Sequence, residues 1–125
     1  MGLSQAVLNQ MGRQAFAMYG GLRETVTVLH RTTRAGTPTT HTGLTAYVSE
    51  YKEAIVAIHM TLERGLTFVQ REDRQLQLLV EDVTWTPNAF GTFVRADGTT
   101  WFTVETPSGG AGRSFWTFHI RRVPT

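Results

Sequence analysis

The dipeptide Asp97-Gly98 constrains the fold of this chain more strongly than any other part of the sequence. It separates two alternating runs, 90–96 and 99–105, and an Asp-Gly link between such runs is the strongest short-range signal for a β-hairpin. A type I′ turn here requires positive φ at both linking residues and sets the register of the two strands. We therefore predict a hairpin centred on this dipeptide.

The predicted register assigns the hairpin side chains to two faces. Counting outward from a two-residue turn pairs Val94 with Trp101 and Phe93 with Phe102. Phe93, Phe102 and Val104 then share the core face, because side chains alternate along a strand. Trp101 lies on the opposite, half-polar face, which suits contact with a partner.

A third strand is predicted over 115–123, because the sequence alternates again there. Its core side is expected to carry Trp116, Phe118 and Ile120. Its outer side is expected to carry Thr117, His119 and Arg121. The segment 106–114 between the second and third strands is rich in Gly, Pro and Ser. We expect it to be a mobile finger in the free protein, since it has little apolar surface to bury.

Composition fits a single domain over 1–125. The chain is 41% hydrophobic and 18% charged with a net charge of +2, and it has no cysteine, which excludes disulfides and thiolate metal sites. No run approaches the roughly 20 apolar residues of a membrane span, and there is no leader pattern. We expect a soluble protein that is made in the cytoplasm.

A helix is predicted within 1–21. Ser4 can cap it, and Val7, Met11, Ala15 and Met18 form an apolar stripe at helical spacing. The stripe favours a helix laid across the β-domain to cover its core; the alternative is a helix that docks on a neighbouring subunit.

The remainder, 24–123, is predicted to be β-structure with flexible loops at 31–43 and 106–114. Besides the three strands above, strands are indicated at 24–31, 44–49, 66–70 and 75–80. Their inward side chains are expected to be Val26, Val28, Leu44, Ala46, Val48, Leu76, Leu78 and Val80.

The segment 51–64 is ambiguous, because it alternates like a strand although Ser49 could cap a helix there. We interpret it as a strand, since β-branched residues are prominent. Six or seven short strands with one N-terminal helix predict a mainly β fold, either a small barrel or a sandwich.

The sequence offers little for catalysis. The four histidines, His30, His41, His59 and His119, lack the close spacing to acids or to one another that metal sites use. No phosphate-binding glycine motif and no nucleophile elbow is present. We therefore expect no catalytic residue, no metal, no cofactor and no enzymatic activity.

Three tryptophans leave a nucleic-acid alternative open. Trp85, Trp101 and Trp116 could stack bases on an oligonucleotide-binding barrel, but such a barrel also needs a basic groove. The arginines are interspersed with acids, so no groove stands out, and of the three only Trp101 is clearly on an outer face.

The C-terminal third carries a series of features in a fixed order. A strand ends near Val94, a tight turn leads to the aromatic-x-Val strand 102–104, and a glycine-rich loop precedes a last aromatic strand that ends in Arg121-Arg122. This order resembles the small head-tail joining proteins of long-tailed bacteriophages, also called head-closure or stopper proteins. The N-terminal helix, Thr/Val strand and polar loop are similar too. Such sequences commonly have Gly-Asp before the hairpin strand, where this one has Phe90-Gly91-Thr92.

The resemblance implies a structural virion protein of the phage neck. It implies a ring of copies, hexameric or dodecameric, between a portal or adaptor protein above and a tail terminator or tail tube protein below. The ring would retain packaged double-stranded DNA in its channel, with no membrane contact. The tail terminator, or another neck ring, is a close alternative, and the oligonucleotide-binding barrel is a second one.

Two loops are the candidate contact sites in such a ring. We expect 31–42 and 106–114 to contact other subunits or the DNA channel, because they are long and lack local order. With the outer tryptophan, the candidate interface residues are Arg31, Arg34, Thr37, Pro38, His41, Trp101, Gly109, Gly110 and Arg113.

Overall fold

A computed structural model describes residues 4–19, 23–51 and 69–124. Within these ranges one helix precedes six strands: α1 (Gln5–Tyr19), β1 (Arg23–His30), β2 (Thr39–Glu50), β3 (Arg74–Leu79), β4 (Thr92–Val94), β5 (Thr100–Thr103) and β6 (Phe115–Arg122). The strands close an antiparallel barrel in the order β1-β2-β3-β6-β5-β4. The predicted mainly β fold with an N-terminal helix is confirmed, and the architecture is a barrel rather than a sandwich. The described part of the chain contains no helix long and apolar enough to cross a membrane.

The core of the barrel contains most of the side chains that the alternation assigned to it. The buried cluster is Val26, Val28, Ala46, Leu76, Leu78, Phe93, Trp101, Phe118 and Ile120, and Leu44, Val48 and Trp116 pack against it. Val80 is an exception among the residues predicted to point inward. Strand β3 ends at Leu79, and Val80 opens a short 3-10 turn (Val80–Asp82), where it is only half-buried.

The hairpin forms, but its predicted turn and register are wrong. The observed pairs are Phe93 with Trp101 and Thr92 with Phe102, one residue away from the predicted ones. Gly98 has a φ of 85°, whereas no non-glycine residue in the described ranges has a positive φ, which rules out type I′. The Gly98 amide donates to the Arg95 carbonyl at 2.9 Å, as in the longer hairpin turn with a glycine bulge.

This register exchanges the faces of two aromatic residues. Trp101 is buried in the core, at 5% exposure, and Phe102 faces outward and is half-buried. Trp101 is therefore not a partner-facing residue, since a slip of one residue turns every side chain of a strand to the other face.

Contacts from β1 hold the longer turn in place. Glu24 accepts two hydrogen bonds from the Arg95 guanidinium, at 3.1 and 2.7 Å, and one from the Ala96 amide at 3.1 Å. Burial raises the pKa of Glu24, but the hydrogen bonds from Arg95 and Ala96 outweigh it and lower the pKa below its usual value. The turn is thus fixed by a carboxylate that is distant in sequence.

Helix α1 packs on the barrel, but not with the stripe that the sequence indicated. Ser4 caps it as predicted, accepting a hydrogen bond from the Val7 amide at 3.2 Å. Phe16, at 2% exposure, stacks on Phe115 with ring centroids 5.4 Å apart. Gly12 is also buried, and a Cβ there would lie 2.9 Å from Leu79 Cδ2, so its missing side chain permits close contact with the barrel.

The polar loop after β1 is shorter than predicted. Strand β2 begins at Thr39, and Thr40 and His41 pair with Leu29 and Val28. The loop therefore spans 31–38. The start of β2 is largely exposed, which explains why no apolar alternation marked it in the sequence.

Two other predicted strands are not found in the described residues. The predicted strand over 66–70 is wrong for the part that can be described, because Val69 and Gln70 are not in a strand. Strand β3, which corresponds to the predicted strand 75–80, pairs with β2 and β6. The predicted strand over 51–64 lies outside the described residues except for Tyr51, which is not in a strand. Residues 66–68 lie outside them as well.

The segment 106–114 has defined contacts, contrary to the prediction of a finger without local order. Ser108 and Thr117 exchange backbone hydrogen bonds of 3.1 and 2.7 Å. The Gln5 side chain of α1 accepts from the Gly112 amide at 2.8 Å and donates to the Arg113 carbonyl at 3.0 Å. The helix and β6 thus supply the partners that the glycine-rich segment lacks within itself.

Candidate functional site

The predicted interface residues are distributed over several parts of the barrel. Arg31 and Arg34 line one cleft, whereas Trp101 lies in the core. Thr37 is exposed and Pro38 half-buried at the end of the polar loop, and His41 is in β2. The remaining residues, Gly109, Gly110 and Arg113, belong to the segment held by α1 and β6.

The cleft lies between the polar loop and the β4–β5 hairpin. Its volume is about 520 Å³, and it is lined by Arg31, Arg34, Ala89, Phe90, Gly91, Thr92, Phe102, Thr103 and Val104. Among the residues that the structure describes, no acidic side chain lines it. Neither arginine has a carboxylate partner among the residues the structure describes.

A set of hydrogen bonds ties the two walls of the cleft together. Asn88 Nδ2 donates to the Arg31 carbonyl at 2.7 Å, and Asn88 Oδ1 accepts from the Phe90 amide at 2.9 Å. The Arg31 guanidinium donates to Thr92 Oγ1 at 3.1 Å, and the Arg34 guanidinium lies 6.0 Å from the centre of the Phe90 ring. Both cations are therefore oriented by the wall that they face.

Sequence reasoning named the two arginines but missed the aromatic wall. Phe102 was assigned to the core because the hairpin register was predicted one residue away from the observed one. Phe90, at the start of the hairpin run, was assigned to neither face of the strand. The signal that could have shown the cleft was Asn88, which is placed two residues before Phe90 and can hydrogen-bond to nearby backbone.

Trp85 lies between two of the histidines. The His41 ring stacks on it with centroids 3.9 Å apart and 14° between planes, and the His30 ring is 6.2 Å away. Burial and the neighbouring His41 lower the pKa of His30. The buried His41 Nε2 has no hydrogen-bond partner within the described part of the chain. In the described ranges, no group of three His, Asp or Glu side chains is placed to hold a metal ion.

The most buried polar group is Asp73, at 0% exposure. Arg121 donates to its two carboxylate oxygens at 2.8 and 2.9 Å, His119 Nε2 lies 2.6 Å from Oδ2, and the Gln70 amide donates at 2.9 Å. Burial alone would raise the pKa of Asp73. The hydrogen bonds from Arg121, His119 and Gln70 outweigh it and hold the pKa well below its usual range.

Two further side chains surround this Asp73 network. The Tyr51 ring meets His119 edge-on, with centroids 5.2 Å apart, and Glu105 Oε2 is 3.8 Å from His119 Nδ1. Burial, with the nearby charges of Glu105 and Asp73, raises the pKa of the Tyr51 phenol. His119, which the sequence predicted to lie on the outer side of β6, is buried at 5% exposure and takes part in this network.

Helix α1 presents an exposed apolar stripe. Val7, Met11 and Met18 are 41%, 48% and 85% exposed. They are three of the four residues that the sequence placed on the packing stripe, so the interpretation that this stripe covers the core is wrong. The helix is instead rotated so that Gly12 and Phe16 contact the barrel.

Comparisons with protein-family models, with curated proteins and with solved structures gave no match for this chain.

Proposed function

We propose that this chain is a subunit of the ring that joins head and tail in a long-tailed bacteriophage, in the position of the stopper. The observation that carries the proposal is the exposed stripe of Val7, Met11 and Met18 on α1. Large apolar side chains that are exposed on one face of a helix are typical of a surface that another protein covers. In a ring of identical copies, the protein that covers this stripe is the neighbouring subunit.

Two other features support a ring subunit. The pattern of the C-terminal third resembles head-tail joining proteins, as described above. The barrel is closed, and its polar loop and hairpin are hydrogen-bonded to it. A closed barrel has no free strand edges, so assembly depends on side-chain surfaces such as α1 rather than on strand addition.

The direct test is electron microscopy of particles from a source phage that carries a stop codon in this gene. Separate filled heads and tails of normal length would support the joining role, and DNA leaking from the heads would favour the stopper. Abnormally long tails would move the assignment to the tail terminator. Intact, infectious particles would overturn the proposal.

A second test concerns the stripe itself. The double variant Met11→Gln, Met18→Gln should fold normally but fail to complement the stop-codon phage, because a neighbour would have to bury two polar amides. Ala17→Gln is the matched control, since Ala17 is exposed on the same helix outside the stripe. Equal complementation by both variants would remove the stripe from the interface.

The role of the 106–114 segment in joining is better tested by a single substitution than by deletion of its glycines. A Cβ on Gly109 would lie 2.3 Å from the Phe115 carbonyl oxygen, and Gly110 packs against the Trp116 ring. Removing 109–112 would therefore disturb the fold as well as any contact. Arg113→Glu changes an exposed side chain, and loss of joining in that variant would support a partner contact here.

A further inference from the structure

The cleft lined by Arg31 and Arg34 differs from two other arginine sites of the barrel, those of Arg95 and Arg121. Arg95 and Arg121 each make two hydrogen bonds to one carboxylate. Arg31 and Arg34 face a cleft with no acidic lining and have no carboxylate partner in the described ranges. Two guanidinium groups in such surroundings favour an external anion.

The opposite wall indicates which kind of anion. Phe90 and Phe102 both line the cleft, and both are half-buried. Their rings offer apolar faces beside the cations, and the hydroxyl of Thr92 fixes the Arg31 guanidinium. Cations next to aromatic rings are the combination that holds a phosphate together with a stacked base.

We propose that this cleft binds single-stranded nucleic acid, with a backbone phosphate on Arg31 and Arg34 and a base against Phe102 or Phe90. A double helix presents its phosphates but keeps its bases stacked inside, so it could use the arginines but not the rings. An acidic peptide would likewise use only the charges. The aromatic wall therefore decides in favour of a single strand over both.

The cleft has the size and rigidity that this ligand needs. Its volume of about 520 Å³ is large enough for one base. The hydrogen bonds of Asn88 hold the Arg31 backbone against the hairpin before any ligand arrives, so little order has to be gained on binding. This inference does not rest on the proposed ring, because its evidence is the lining of the cleft itself.

The test is fluorescence anisotropy of a labelled oligo(dT) of about 15 nucleotides, within the range that small barrels cover, titrated with the purified protein. We expect binding at about 50 mM salt that weakens steeply toward about 200 mM. Arg34→Glu should weaken binding about tenfold, and Arg34→Ala should lower the slope of log K against log salt by about one. Phe102→Ala should weaken binding at least about fivefold.

Three controls separate the cleft from general charge effects. Arg113→Glu makes the same change of charge at an exposed position outside the cleft, and it should keep nearly all of the affinity. Phe102→Leu keeps an apolar side chain but removes the ring, so it should lose binding without unfolding. Unfolding midpoints of all variants confirm that each one is folded.

Several outcomes would overturn the inference. The inference is overturned if the protein does not bind the oligonucleotide at low salt, or if Arg34→Glu and Arg113→Glu lose the same amount of affinity. It is also overturned if the protein binds a duplex of the same length equally well. Equal affinity for a poly-glutamate peptide would replace nucleic acid with an acidic protein segment as the occupant. None of these results bears on whether the chain joins heads to tails, since the phage complementation assay answers that separately.

Discussion

Two arginine-containing regions of the barrel differ in how their charge is balanced. In the Asp73 network, Arg121 and His119 surround a fully buried carboxylate on strands β3 and β6. In the cleft, Arg31 and Arg34 have aromatic and hydroxyl neighbours, and no acidic residue of the described ranges lines it. The network is complete within the chain and so contributes to stability, whereas the cleft leaves its charge available to a ligand. Substitutions should therefore lower the free energy of unfolding at the first region and change it little at the second.

The largest difference is expected along β5, where adjacent residues face opposite ways. Trp101→Ala should lower the free energy of unfolding by about 3–5 kcal/mol, because it leaves a cavity in the core. Phe102→Ala, on the cleft wall, should cost about 1 kcal/mol or less. Urea unfolding measures both. Similar losses in the two variants would contradict the observed register.

Asp73→Asn should lower the free energy of unfolding by about 3 kcal/mol, since Arg121 and His119 would lose the carboxylate that compensates them. Glu72→Gln is the matched control, because Glu72 is exposed and precedes Asp73 directly. It should change the free energy by less than about 0.5 kcal/mol. A loss of less than 1 kcal/mol for Asp73→Asn would show that the network does not stabilise the fold.

The two regions should also respond differently to acid. Because the pKa of Asp73 is lowered in the folded protein, the unfolded chain takes up the proton first as the pH falls below about 4. The stability contributed by the Asp73 carboxylate is thus complete above that pH and is lost as the pH falls through the lowered pKa. Urea midpoints between about pH 5 and pH 2 should fall more steeply for the wild type and for Glu72→Gln than for Asp73→Asn. If the urea midpoints of the wild type and of Asp73→Asn fall equally with pH, the Asp73 carboxylate does not contribute the predicted stability.

The smallest effect is predicted in the cleft. Arg34→Ala should change the free energy of unfolding by less than about 0.5 kcal/mol, because Arg34 is exposed and makes no ion pair within the described ranges. Thermal unfolding of Arg34→Ala and of the wild type, measured under the same conditions, tests this prediction. A loss comparable to that of Asp73→Asn would mean that the cleft arginines also serve the fold.

The failure of the predicted hairpin register shows where local patterns stop being sufficient. Alternation correctly marked both strands, but it cannot tell a two-residue turn from a longer turn with a glycine bulge. That choice is supported by Glu24, which binds the Arg95 guanidinium and the Ala96 amide from another strand. The faces of Trp101 and Phe102, and hence the aromatic wall of the cleft, follow from a contact between residues far apart in the sequence.

The helix gives a parallel case. Its capping by Ser4 follows from a short-range rule, and the structure agrees with it. Its apolar side, however, is wide enough to allow more than one packing face. Stacking of Phe16 on Phe115 and the close approach at Gly12 select one face and leave Met11 and Met18 exposed.

The sequence by itself determined the elements of this protein: one capped helix, alternating strands, a mainly β fold and the absence of cysteine chemistry. These depend on backbone periodicity and residue type, which act over a few neighbouring residues. Only the tertiary structure decided which side of each element is buried, which charges are paired and where a cleft opens. Those properties depend on residues distant in the chain, such as Asp73 with Arg121 and Asn88 with Arg31, that meet only when the barrel closes.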